Sequence, residues 1–200
     1  MLTLLIFLNI IHLIISAGIH KASSYINNVL VISEDKTIFN KARQFNPSVA
    51  KLKVFFTDTH NNIIHYWCPI LIATMVLLAT DLILLIKGHP EPYLNYAVSI
   101  MFGFGVVYSI HLIKLYNWFQ FFSFCMLVAF YINKAEDINV RWRALLLLPQ
   151  TEENDEIARQ LLIDHQHVLH MLTTYFHATT NEKIKQSIED CFKSLVDSID

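Results

Sequence analysis

Three apolar runs, at 2–19, 63–85 and 93–132, are separated by polar stretches at 20–62 and 133–200 and by a short polar gap at 88–92. An apolar helix needs roughly 20 residues to cross a hydrocarbon core about 30 Å thick. The second run is therefore long enough to span, the third could span more than once, and the first is marginal. The runs are continuous rather than alternating, which excludes the strands of a lipid-facing barrel. The pattern predicts an all-α fold: multi-pass transmembrane helices with cytoplasmic helical extensions.

Residues 1–19 are read as a transmembrane helix. A signal-like segment is the alternative, because Ser16, Ala17 and Gly18 resemble a cleavage region. Against that reading, no Lys or Arg precedes the run, and Asn9 and His12 interrupt it. Residues 20–62 form a cytoplasmic helical loop by the positive-inside tendency, with Lys21, Lys36, Lys41, Arg43, Lys51 and Lys53 against Glu34, Asp35 and Asp58. Proline disfavours helix at the residue before it and can start a new one, so Asn46-Pro47-Ser48 divides this loop into two helices.

Residues 63–87 form the next transmembrane helix and 88–92, Gly-His-Pro-Glu-Pro, an outer loop. Lys134, Arg141 and Arg143 follow the third run and also prefer the cytoplasm. Two cytoplasmic segments enclose an even number of crossings, so 93–132 supplies one, for three in all. As one helix those forty residues would be about 60 Å long, twice the bilayer. A break at Gly103 and Gly105 is expected, with 93–105 packed on the outer side and 111–132 making most of the crossing. There Lys114 must face protein or water. A hairpin at 114–117 is the competing arrangement. The cytoplasmic tail, 133–200, turns around 149–154, is helical from 155 to about 176 with Ile157, Leu161, Val168, Leu172 and Phe176 near helical spacing, and ends in a short helix at 182–196.

Composition agrees with the pattern: 54% of the 200 residues are hydrophobic and only 16% charged, against about 25% charged in an ordinary soluble domain. The net charge is −2, and the seven Lys or Arg after residue 132 are outnumbered by twelve Asp or Glu. Nucleic acid is thus not an expected partner. Cys68, Cys125 and Cys191 are isolated and odd in number, which gives no disulfide framework.

Few residues carry a chemical signal. Asp81 is ionisable and lies inside an apolar run, where such a group usually faces a partner, a cavity or a water path. Its alternative is a reach toward the outer interface, since Lys87 is six residues, or about 9 Å of helix rise, away. Asp164, His165, His167, His170 and His177 crowd one helical stretch, but steps of three drift around a helix, and a solvated face is expected rather than a metal site. The aromatic cluster Tyr116, Trp118, Phe119, Phe121, Phe122 and Phe124 reads as packing or interface anchoring, with an apolar ligand site as the alternative. No Gly-rich phosphate loop, GxSxG or paired carboxylate pattern is present. No catalytic residue, metal or cofactor is assigned, and the chain is not expected to be an enzyme. A site joining Asp81 to the histidines would need opposite ends of the topology to meet.

Ile26-Asn27, then the amphipathic stretch 49–65 leading into the 63–85 run, then Ala135-Glu136, Arg143-Ala-Leu-Leu-Leu-Leu and 156–172 follow one another in a suggestive order. In this layout the chain resembles the C-terminal part of an invertebrate gustatory-receptor-type chemoreceptor. One departure matters: Thr174-Tyr175 is followed by Phe-His-Ala, not by the apolar run of that family's last, pore-lining helix. The resemblance implies a partial chemosensory receptor of the plasma membrane, similar to subunits of ligand-gated cation channels. It would take a small-molecule ligand in an outer-facing pocket for which depth suggests Asp81, Tyr93 and Tyr96. It would assemble as a homo- or hetero-oligomer through the cytoplasmic helices around 49–54 and 157–172. The alternative function is a small multi-pass membrane scaffold or accessory subunit that docks a soluble partner through its tail.

Overall fold

The computed structural model describes residues 2–89, 91–149 and 151–196. Among them every regular element is helical, and three helices contain stretches long and apolar enough to cross a membrane: Ile6–Ile32, Cys68–Ile86 and Leu115–Leu145.

Helix α1, Leu2–Ile32, carries the first apolar run well past residue 19, with no proline to stop it. It ends at Ser33-Glu34-Asp35, a break not anticipated from the sequence. There the Asp35 carboxylate accepts from the backbone N–H groups of Thr37 and Ile38, at 2.7 and 3.2 Å, and so starts α2, Lys36–Phe45. The expected break at Asn46-Pro47 follows, with Asn46 Oδ1 accepting from the Ser48 N–H as α3, Ser48–Asn62, begins.

A single π-helical turn, Ile63–Trp67, joins α3 to α4, Cys68–Ile86, and the Cys68 N–H bonds to the Ile63 carbonyl. The cause is local. Pro69 has no N–H to offer the carbonyl of His65, four residues back, so the ladder must shift there, and one wide turn absorbs the change.

At the end of α4 the His89 N–H bonds to the Leu84 carbonyl and the Gly88 N–H to that of Leu85, both near 3 Å, with Gly88 at φ +79°. This paired closure requires a left-handed residue, which glycine supplies without a Cβ clash. Helix α5, Pro92–Leu145, then runs unbroken for 54 residues. The expected break at Gly103 and Gly105 does not occur, and neither does the hairpin at 114–117. A glycine costs a helix only about 1 kcal/mol relative to alanine, too little to interrupt so long an apolar helix. Nor does the tail begin as a separate element at 133, because α5 continues to Leu145.

Thr151 caps α6, Glu152–Ala178, by accepting from the Asn154 N–H, and Glu152, Glu153 and Asp155 in the first turn complement its positive end. This helix begins earlier and ends later than the 155–176 read from spacing. Asn181 caps α7, Glu182–Val196.

The chain divides into two compact units. The first, residues 1–30 and 52–121, holds most of α1, most of α3, α4 and the first half of α5. Leu71, Thr74, Leu78 and Asp81 form the buried stripe of α4, spaced three, four and three apart, and Leu8 of α1 packs on Leu78. The outer faces of this unit are apolar: Phe7, Ile14, Ile72, Val76, Ile86, Ile100 and Val107 are all exposed.

The second unit, residues 31–51 and 122–200, gathers α2, the second half of α5, α6 and α7. Helix α5 lies at its centre: Glu136 pairs with Lys41 of α2, Lys134 with Asp164 of α6, and Asn139 bonds to Ser194 of α7. Phe122, Cys125, Met126, Ala129 and Ile132 of α5 are buried here among Ile38, Ala42, Val168, Leu172, Ile184 and Ile188. The end of the third apolar run is thus the core of a helical bundle. Accordingly, the most apolar window of Leu115–Leu145 is 44% buried inside the protein, against 18% and 22% for the other two.

Candidate functional site

Asp81 occupies the inward stripe of α4 and is only 1% exposed, with its Oδ2 lacking a hydrogen-bond partner. Three residues away, Leu78 is enclosed by Leu8, Leu77, Leu82 and Leu85. The carboxyl group thus sits beside a hydrocarbon cluster, the setting in which a charge is most costly. Tyr93 and Tyr96, on the first turns of α5, are 84% and 71% exposed. The three residues proposed from depth therefore share no enclosure within this chain: one faces its interior and two face its surroundings.

Polar contacts brace the same unit. His12 Nε2 lies 3.0 Å from the Leu71 carbonyl and ties α1 to α4, while Ser23 Oγ lies 3.2 Å from His60 Nδ1 and ties α1 to α3. In the sequence His12 shows only as an interruption of an apolar run. Its partner is a backbone carbonyl, which no residue pattern reveals.

The aromatic cluster is divided. Tyr116 and Phe119 belong to the first unit, where with Ala22, Tyr25, Ile26 and Phe56 they line an apolar cleft of about 120 Å³ between α1, α3 and α5. Phe119 packs edge-to-face on both Tyr25 and Phe56, with centroids 5.3 and 5.0 Å apart. Phe122 and Phe124 belong to the bundle, where Phe124 meets Tyr175 edge-to-face at 5.4 Å.

The histidine-rich stretch lies largely on an exposed face, since His167, His170 and His177 are all exposed. Asp164 pairs with Lys134 at 3.6 Å, and the His167 ring lies tilted against Tyr131 with centroids 5.9 Å apart. Among the described residues no group of three His, Cys, Asp or Glu is placed to hold a metal ion.

A larger and more polar cleft, about 250 Å³, lies within the bundle between α2, α5 and α7, and is lined by Lys41, Gln44, Glu136, Asn139, Asp190 and Cys191 among others. Lys41 Nζ donates to Glu136 Oε2 at 2.6 Å, and the Asn139 amide donates to both the carbonyl and the hydroxyl of Ser194 at 3.2 Å. Burial pushes the Cys191 thiol up to about 11, with Glu136 adding to the effect and Lys41 opposing it. A thiol so held is a packing group rather than a nucleophile. Sequence reasoning did not find this cleft, because its residues come from three segments up to about 150 positions apart.

Comparison with known proteins adds no relative: no protein-family model, no curated protein and no solved structure matches the chain.

Proposed function

We propose that this protein is a multi-pass plasma-membrane chemoreceptor of the gustatory type, related to subunits of ligand-gated cation channels. The order of short motifs along the chain suggests the family, and one structural observation supports the membrane setting: apolar helices with exposed apolar faces and one buried carboxyl form one unit, and the segments richest in charge form the other, with α5 continuous through both. Exposed apolar patches of this extent are rare on soluble monomers, and lipid removes their cost. The crossings are assigned to α1, α4 and the part of α5 before residue 122, with the bundle in the cytoplasm. That division disposes of the excess apolar length of 93–132, since its last eleven residues are needed for a protein core.

In this reading Asp81, Tyr93 and Tyr96 lie toward the outer side and take part in recognising a small molecule. A membrane scaffold is the second reading, favoured by Val140, Leu146, Leu147 and Leu148, which the bundle leaves exposed. Two measurements separate them. Single cysteines at 40, 90 and 150 should label from inside, outside and inside on intact cells, and a label at 150 from outside would overturn the topology. A panel of sugars and amines should include at least one that raises the thermal unfolding temperature of the purified chain, with the shift lost in Asp81→Leu. No shift across the panel, or one indifferent to Asp81→Leu, would favour the scaffold.

A further inference from the structure

We infer that the cleft between α1, α3 and α5 is a binding site for one hydrocarbon tail of an inner-leaflet phospholipid. This rests on the membrane topology proposed above and assigns an occupant to a site outside the outer-facing pocket.

The size of the cleft restricts what enters. At about 120 Å³ it falls well below the roughly 300–1,000 Å³ typical of sites for drug-sized ligands, so a slender occupant is required. The lining restricts it further. Ala22, Ile26, Phe56, Leu115 and Phe119 offer carbon surface and the Thr59 hydroxyl is already donated to the Phe55 carbonyl at 2.9 Å, whereas a water held there would need about three polar partners. The occupant is therefore apolar as well as narrow.

The walls are built to stay in place. Phe56 and Phe119 are almost wholly buried and locked edge-to-face, and Ser23 joins His60 on the adjoining turns of α1 and α3. The mouth differs, because Tyr25 and Tyr116 are each about half exposed. An apolar ring with a polar tip suits the boundary between hydrocarbon and headgroup. The source of hydrocarbon is at hand, since Val107 and Ile110, on the two turns of α5 before the cleft, are exposed apolar residues that face lipid in the proposed topology.

The test uses the full chain in phosphatidylcholine vesicles doped with a phosphatidylcholine that carries a diazirine in one acyl chain. After irradiation, peptide mapping should find adducts at Tyr25, Tyr116 and Phe119, besides those on Ile72 and Val76 at the outer face of α4. Ala22→Phe, which fills the cleft, should lower the cleft adducts at least fivefold and leave those on α4 unchanged. Tyr116→Ala, a change at an exposed rim position, should preserve or increase labelling of Phe119. Adducts on α4 with none at the cleft would overturn the inference and leave the membrane reading standing. Labelling of the cleft indifferent to Ala22→Phe would also overturn it. Absence of adducts at both places would overturn the two together.

Discussion

His12 and Leu71 join the first two apolar helices: the imidazole Nε2 of His12, 1% exposed, lies 3.0 Å from the Leu71 backbone carbonyl. The contact fixes the register of α1 on α4, and with it places the Leu8–Leu78 packing and the depth of Asp81. Hydrogen bonds between helices in a membrane average about 0.6 kcal/mol, with about 1.7 as an upper figure. His12→Leu should therefore destabilise the chain by about 0.5–1.5 kcal/mol in detergent unfolding curves. A loss of several kcal/mol would mean that the imidazole has a further role.

Asp81 stands beside apolar neighbours that penalise its charge, and the proposed membrane setting adds to that penalty. An aspartate near the middle of a membrane helix costs about 2.5–3.5 kcal/mol on insertion scales, and less toward an interface. Asp81→Leu should raise resistance to unfolding by about 1–3 kcal/mol, and Asp81→Asn should give a smaller gain. If both variants are less stable than the parent chain, the carboxyl has a stabilising partner.

Lys41 and Glu136 form an ion pair that joins α2 to α5, but Glu136 is more than half exposed. Solvent screens such a pair to about 0–1 kcal/mol. Lys41→Met should cost no more than that, and the exchange Lys41→Glu with Glu136→Lys should recover most of the loss. Thermal unfolding at low and at 0.5 M salt measures both, and the cost should shrink as salt rises.

Cys191 should be nearly inert toward thiol reagents in the folded chain. With its thiol pushed from the ordinary 9.0 up to about 11, its thiolate at neutral pH is about a hundredfold scarcer than that of an unshifted cysteine. The sign for stability follows from the same shift. The unfolded chain releases this proton near pH 9 while the folded chain keeps it to about 11, so the contribution is fully present below pH 9 and is lost as pH rises through about 11. Rates of maleimide labelling and unfolding curves between pH 8 and 11, compared with Cys191→Ala, check both. Fast labelling at pH 7 would show the site open.

Continuous apolar runs fixed the helical class, because a hydrocarbon environment demands that each segment satisfy its own backbone and because apolar length sets the span. The break at Asn46-Pro47 and the turn after Lys87 were equally local, since proline and glycine act on their own dihedrals. The sequence also marked Asp81 as a polar group in an apolar run. It could not say which way the side chain points, whereas Tyr93 and Tyr96, chosen by depth alone, prove exposed. Tertiary structure decided what each apolar residue faces. The run from 93 to 132 reads as one apolar block whose most apolar part is its end, 122–132, yet that end is buried by α2, α6 and α7, and only their folding back separates core from lipid-like surface. The same folding brings Lys41 to Glu136 and Asn139 to Ser194, since polar groups far apart in the chain meet only when packed helices bring them within hydrogen-bonding distance.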